Sequence, residues 1–475
     1  MQYIEWYLAA AVVVELAGIL MAGRAIMTAR TSQGATAWAV ALIAFPLLSL
    51  PLYMVFGRRK FEGYVKARRA EIAGIQPVLE KLKWCAVSDP ELLSATDSRR
   101  QQPLEQLAMM PFTGCNDARL LIDGEQTFAA IFAGIEAAQS YILVQYYILN
   151  DDRIGRDLQK RLLAKLAEGV RVLLLYDEIG SKRLTRYVAE LEAAGALVAG
   201  FGVANRLSRR LQLNFRNHRK IVVVDGRVGY VGGLNVGDQY LGRDPKLSPW
   251  RDTHTEITGP AAIALQLTFL EDWYSATGEV PELDWRPAPA PGGDRRVLIL
   301  PSGPADTLET CGLFFTHLIN RAHRRLWIVS PYFVPDESIV SALQLAALRG
   351  VDVRILLPAR SDNLLVQLAG YSYFHEIGDV GVSIYRYQDG FLHQKVMLVD
   401  SDIATVGTAN FDNRSFRLNF EVTAVFADAD FTKQMERMLE RDFDNSRRVT
   451  AKDIDRRGWF FRVVVRAARL LSPVL

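Results

Sequence analysis

The sequence predicts a duplicated α/β sandwich, two pseudo-symmetric halves in one chain, preceded by a hairpin of two transmembrane helices. Three observations carry this. Two long apolar stretches open the chain. Apolar strands then alternate with amphipathic helices in a rhythm that runs through twice, and one polar pattern, H-x-K-x4-D-x6-G-x2-N, recurs at the corresponding place of each pass. A chain of 475 residues, half of them hydrophobic, has room for roughly two to three modules around a large core. The formal net charge of +3 argues against general coating of nucleic acid, although local basic patches stay open. Cys85, Cys115 and Cys311 are odd in number and have no metal-like spacing, which points to reduced thiols rather than a disulfide framework.

The N-terminal stretches "YLAAAVVVELAGILMAG" (7–23) and "ATAWAVALIAFPLLSLPLYMVFG" (35–57) are each long enough to span a bilayer as a helix. A cleaved signal peptide needs a basic start, and "MQYIEW" has no Lys or Arg. The spans are therefore expected at about 4–23 and 35–57, within a hairpin of residues 1–57. The basic cluster in "GRRKFEGYVKARR" outweighs Arg24 and Arg30 between the spans. The N-terminus and everything after residue 57 are then expected in the cytoplasm. Pro46 and Pro51 should kink the second helix. Glu15, near the middle of the first span, is expected to face the partner helix or another copy.

Residues 58–110 read as a juxtamembrane helix and a polar linker. From 111 onward, "YILVQYYIL" (141–149) has the make-up of a buried strand, "IGRDLQKRLLAKLAEG" of a helix and "VRVLLLYDE" of the next strand. This βαβ rhythm implies a substantially parallel sheet. It repeats as "RRLWIVSPYFVPD", "ESIVSALQLAALRG" and "VDVRILLPA", and the Pro- and Gly-rich "RPAPAPGGD" (286–294) separates the passes. The halves are thus 111–290 and 291–455. The tail 456–475 interleaves Arg with Trp, Phe, Val and Leu, as suits a helix at an anionic interface or one packed on the domain.

The pattern places His218, Lys220, Asp225 and Asn235 in the first half and His393, Lys395, Asp400 and Asn410 in the second, with seventeen residues from His to Asn in both. One H-x-K arises easily by chance; two complete copies in a duplicated chain do not. Two histidines brought together can act as nucleophile and general acid/base in one displacement. Two lysines and two asparagines supply charge and donors for an anionic, phosphate-like centre, so no metal or other cofactor is needed. Thr408 is a further candidate donor to phosphate, although its counterpart is Gly233. A catalytic histidine also wants a carboxylate on its far nitrogen. Glu421 follows Asn410 in "LNFEV", and Asp252 stands at the equivalent point of "WRDTHTEITG", with Glu256 as competitor. Asp225 and Asp400, at strand ends, are expected to build the site without transferring protons. His254, His317, His323 and His375 read as structural.

The duplicated H-x-K-x4-D resembles the signature of the phospholipase D superfamily. Taken with the hairpin ending in "FGRRK" and with "FRNHRKIVVVDG", "YVGGLNVGDQYLG", "SPYFVPDE" and "GTANFDNRSFRLNFEV", essentially the whole chain resembles bacterial cardiolipin synthases of the membrane-anchored type. The resemblance implies a phospholipase D-like fold and a multi-pass protein of the bacterial inner membrane with its catalytic part facing the cytoplasm. It implies phosphatidyl transfer between two phosphatidylglycerol molecules, giving cardiolipin and glycerol. His218 would attack phosphorus and form a phosphatidyl-histidine. His393 would protonate the leaving glycerol and then deprotonate the acceptor hydroxyl. Lys220, Lys395, Asn235 and Asn410 would hold the phosphate. The motif leaves the acceptor open, so water, serine or another alcohol are alternatives. A nuclease is less favoured, because it predicts a strongly basic groove that the near-neutral balance does not favour and leaves the hairpin unexplained. The sequence also leaves a homo-oligomer open.

Overall fold

Each motif strand turns back on itself at its aspartate. Asp225 and Asp400 both sit at φ 53°, in the left-handed region that Asp tolerates better than most residues. The strand Ile221–Val224 therefore returns as Val228–Gly232, and Val396–Val399 as Ile403–Gly407, both antiparallel. The carboxylates hold these turns in place. Asp225 accepts from the backbone N–H groups of Gln139, Ser140 and Tyr141, each at 2.8 Å. Asp400 does the same for His323, Arg324 and Arg325. The computed structural model describes residues 2–28, 32–57, 80, 82, 95–202 and 214–472.

Around each hairpin the same set of strands assembles. In the first half the order runs Thr113–Ile122, Thr253–Thr258, Val228–Gly232, Ile221–Val224, Tyr141–Tyr146, Arg171–Asp177, Leu197–Phe201. In the second it runs Arg295–Ser302, Asn419–Phe426, Ile403–Gly407, Val396–Val399, Arg325–Val329, Asp352–Pro358, Ser383–Tyr387, with Ser446–Val449 added at the edge. The first strands of the two halves pair antiparallel, Thr113 opposite Val297, so one sheet runs through both. Within this sheet the parallel sets are Tyr141–Tyr146, Arg171–Asp177 and Leu197–Phe201 in the first half and Arg325–Val329, Asp352–Pro358 and Ser383–Tyr387 in the second, joined by helical crossovers such as Arg153–Ala167 and Glu337–Leu348, while the added Ser446–Val449 is antiparallel. The expectation of a substantially parallel sheet is corrected to a mixed one. The motif strands are hairpin arms, and a short turn can join only antiparallel neighbours. Residues 279–294, which include the expected break, form no helix or strand.

The helix Pro260–Thr277 is apolar on nearly every side and buried along most of its length, as a helix enclosed by protein must be. It packs on the motif hairpin of the first half. At the N-terminus the helix Gln2–Thr28 contains a segment, Glu5–Thr28, long and apolar enough to cross a membrane. It runs past Arg24, beyond the expected end of the first span. The second apolar stretch is broken in two, Ser32–Ala44 and Pro46–Phe56, at Phe45 (φ −138°, ψ 58°). Pro46 has no N–H to continue the helical ladder, so the expected kink is a full break there, while Pro51 stays inside a helix. Gly18 lets the first helix approach closely, since a Cβ there would lie 2.5 Å from the Leu42 carbonyl oxygen. Glu15 is exposed and does not face the partner helix. The expected juxtamembrane helix and Cys85 lie outside the described residues; the described part of the linker ends in the helix Ala95–Ala108.

Candidate active site

Two short parallel bridges exchange residues between the halves. Arg216–Asn217, just before the first motif, pairs with Asn419–Phe420, and the His218 N–H donates to the Phe420 carbonyl at 2.9 Å. Trp250–Arg251 pairs with Phe391–Leu392, just before the second motif, and the His393 N–H donates to the Arg251 carbonyl at 2.8 Å. Each histidine is thereby laid beside the carboxylate of the other half. His218 Nδ1 lies 2.9 and 3.1 Å from the two oxygens of Glu421, and His393 Nδ1 lies 2.9 Å from Asp252 Oδ2. Asp252, not Glu256, takes this position; Glu256 pairs with Arg119 instead. A carboxylate beside each Nδ1 favours the tautomer that carries its proton there and leaves a lone pair on Nε2.

The two carboxylates are fully buried and supported differently. Glu421 also accepts from Thr408 Oγ1 at 2.6 Å, Ser415 Oγ at 2.9 Å and Asn419 Nδ2 at 3.1 Å. Asp252 accepts from the Thr253 N–H at 2.8 Å and, more distantly, from the Trp250 indole at 3.4 Å. Gly233, the counterpart of Thr408, leaves the space that the Asp252 carboxylate fills, because a Cβ there would lie 2.0 Å from Asp252 Oδ1. Thr408, expected on phosphate, thus directs its hydroxyl at Glu421. Burial by itself would raise both acids. Lys395 and His393 outweigh it at Asp252, and His218 and Lys220 outweigh it at Glu421, so both stay below the usual carboxylate range.

Lys220 and Lys395 are buried beside their histidines. Each ammonium donates to the carbonyl of the histidine two residues before it, and Lys395 Nζ also lies 2.8 Å from His393 Nδ1 and 3.2 Å from its Nε2. Burial lowers all four groups. It takes His218 to about 4 against the pull of Glu421, and Lys395 to about 8 against the pull of Asp252. His393 and Lys220 move down as well. An anion entering between the lysines reverses much of this, since it favours the charged form of every cation near it. Asn235 accepts from the Ile148 N–H through Oδ1 and donates to the Tyr240 hydroxyl. Asn410 has its Oδ1 buried with no hydrogen-bond partner among the described residues. Asp225 and Asp400 lie at the opposite ends of the motif strands from the histidines, on the turns described above. His254 is buried in a sheet strand, and His375 pairs with Asp455.

Several residues outside the sequence-based candidates complete the setting. Arg219, in the link between Arg216–Asn217 and Ile221–Val224, meets Asp272 at 2.8 Å, which also accepts from Asn217 and Gln145. Arg251 forks onto Asp442 at 2.8 and 2.9 Å, fixing the second bridge. Tyr147 lies edge-on to His218 (ring centroids 4.9 Å apart) and Trp250 lies 5.0 Å from His393. Tyr332 hydrogen-bonds both oxygens of Asp362 at 2.9 Å, and the charge of Asp362 acts on His393 and Lys395. Arg219, between the motif His and Lys, was visible as a charge in an otherwise buried strand; the others carry no spacing that marks them. Two carboxylate-backed imidazoles beside two ammonium groups can attack an anionic phosphorus and move a proton to and from oxygen.

The family described as "Cardiolipin synthase, PLD-like domain" matches residues 131–246 and 315–443. A protein named Cardiolipin synthase A from Pseudomonas putida (strain GB-1) is 48% identical over 466 residues, covering 97% of each chain. Its namesake from Pseudomonas syringae pv. syringae (strain B728a) is 46% identical over 469 residues, again covering 97% of each. Among solved structures, the phosphatidylserine synthase of Haemophilus influenzae Rd KW20 aligns with TM-score 0.60 and 15% identity over 79% of this chain and 100% of its own, a likeness of fold. Both motif copies fall inside the matched segments and the kinship runs through almost the full length, so the chain belongs to the phospholipase D-like cardiolipin synthase family.

Proposed function

We propose that the protein is a cardiolipin synthase that transfers a phosphatidyl group from one phosphatidylglycerol to another, with His218 and His393 sharing the chemistry. The observation that carries this is the pair of histidines, each fixed by a carboxylate of the other half, in a chain related to cardiolipin synthases over nearly its whole length. His218 Nε2 attacks phosphorus and the P–O bond to glycerol breaks. His393, protonated once the anionic substrate is bound, gives its Nε2 proton to the departing oxygen. A phosphatidyl-histidine results. His393 then removes the proton from the terminal hydroxyl of the second phosphatidylglycerol, that oxygen attacks phosphorus, and the N–P bond breaks. Lys220, Lys395, Asn235 and Asn410 hold the phosphate oxygens through both displacements. Glu421 and Asp252 keep the tautomers, Thr408 acts through Glu421, and Asp225 and Asp400 hold the hairpins.

The same reading places the first 57 residues in the bacterial inner membrane as a hairpin. Ser32–Ala44 and Pro46–Phe56 together extend about 37 Å at helical rise, enough to cross as one interrupted span. The basic "GRRK" run then keeps the catalytic part in the cytoplasm. The linker occupies 58–110, the catalytic halves 111–290 and 291–455, and the tail 456–475.

The test is conversion of labelled phosphatidylglycerol by the full-length protein in liposomes without divalent metal. Cardiolipin and glycerol in equal amounts are expected. Phosphatidic acid as the main product would assign water as the acceptor, and turnover by His218→Ala or His393→Ala would refute the two-histidine mechanism.

A further inference from the structure

The C-terminal helix Trp459–Arg469 and the turn after it present more apolar surface than the fold consumes. At 100° per residue, side chains fall on three separate sides. One side packs on the domain. Val465 and Ala468 are buried, Phe461 meets the Tyr371 ring, and Ser472 is held by Tyr373 and Asn413. A second side, about 150° round the helix by this spacing, carries Trp459, Phe460, Val463, Ala467, Leu470 and Leu471, all exposed. Trp459 is 71% exposed, Phe460 73% and Leu470 81%. Between the two on the remaining side stand Arg462 and Arg466, also exposed. A helix that merely closes a domain needs one apolar stripe; this one has two.

The charge decides what covers the outer stripe. From Arg456 to the C-terminus the chain has five arginines and no acidic residue. Arg469 is paired with Glu376, and Arg457 stacks on the rings of Tyr371 and Phe461. A symmetric contact with a second copy would set arginine against arginine, whereas an anionic lipid surface complements the strip and accepts Trp and Phe at head-group depth.

We propose that this helix is a second membrane contact: its stripe from Trp459 to Leu471 enters the surface of an anionic bilayer, with Arg462 and Arg466 on lipid head groups. The contact holds the second half of the catalytic domain on the lipid surface at the opposite end of the chain from the N-terminal apolar helices. It rests on the proposed membrane setting but not on the reaction chemistry.

The experiment uses the full-length protein in vesicles of phosphatidylglycerol and phosphatidylcholine, with or without bromine on the acyl chains. The chain has eight tryptophans, so the Trp459 signal is taken as wild-type emission minus that of Trp459→Phe, which keeps an aromatic ring at the site. Bromine should remove at least about half of this difference, because an interfacial helix sinks its apolar face several ångströms into the acyl boundary. In Arg462→Gln/Arg466→Gln the loss should fall at least about twofold, since each interfacial Arg adds about fivefold attraction. A difference emission unchanged by bromine overturns the proposal, as does shielding of Trp459 that depends on protein concentration and not on bromine. Equal quenching in the arginine variant overturns the assignment to anionic lipid. Quenching is read without turnover, so a failure here is distinct from a failure of the cardiolipin assay.

Discussion

Replacing Glu421 by Gln tests the cross-half pairing at a single group. The carboxylate presents two acceptor oxygens to four donors: His218 and Thr408 at Oε2, Ser415 and Asn419 at Oε1. An amide keeps one acceptor and gains a donor. With its oxygen toward His218, it turns its NH2 on Ser415 and Asn419. With its NH2 toward His218, it opposes the Nδ1 proton and drives the imidazole into the tautomer whose Nε2 cannot attack. Losing the charge-assisted bond costs about 1.5–3 kcal/mol, roughly 10- to 150-fold in rate. Where the wrong tautomer dominates, the loss approaches about 10⁴-fold. Cardiolipin formation per folded molecule, from labelled phosphatidylglycerol in mixed micelles, should therefore drop between about 10 and 10⁴-fold, chiefly in kcat. Thermal unfolding, followed in parallel, gives the folded fraction. Activity within about fivefold of wild type would refute the claim that Glu421 fixes the tautomer of His218.

Gly233→Ala should push Asp252 off His393, since its Cβ would lie 2.0 Å from Oδ1. A large fall in kcat with little change in KM is expected, and unchanged kcat would mean that the carboxylate has room to move. Lys395, lowered to about 8 by burial, is charged below that value and loses its charge as pH rises through it. The alkaline limb of kcat/KM, which reports the free enzyme, should fall near 8, and Lys395→Arg should move that limb upward even if the rate is lower. Asp225→Ala and Asp400→Ala each strand three backbone donors. Gln139, Ser140, His323 and Arg324 are exposed, so water replaces most of the lost acceptor, and at about 0.5–1.5 kcal/mol per hydrogen bond a loss of roughly 1–3 kcal/mol in unfolding free energy is expected. Denaturant titration checks it; intact stability with lost turnover would instead put these aspartates in the chemistry.

The repeated motif was legible because its spacing is a backbone requirement: a strand, a tight left-handed turn and a returning strand fix how far Asn235 and Asn410 stand from their histidines. Asp225 and Asp400 were readable as structural for the same reason, as strand-end acids whose partners are local N–H groups. Glu421 and Asp252 were found as residue types but not as partners. Their pairing depends on two-residue bridges such as Asn217 with Phe420, and no local pattern specifies contacts so far apart in the chain. Thr408, expected on phosphate, donates to Glu421; a hydroxyl near a phosphate site serves as well behind the histidine's carboxylate as in front of it. The parallel sheet was over-extended from the two βαβ passes, which are real, to the hairpin strands between them. Pro46 announced a kink, and the missing N–H produced a break.

The exchange of carboxylates has a consequence for how the chain can be divided. Cut at the coil near residue 290, each half would keep a complete His, Lys and Asn set, and each histidine would lose the acid that orients it. Neither half is an enzyme in miniature. By this geometry, a single half could regain an orienting acid only by borrowing it from a second copy. Joining two such halves in one polypeptide makes that loan permanent, and then frees the two carboxylates to diverge, one held by Thr408, Ser415 and Asn419, the other seated in the space that Gly233 leaves open.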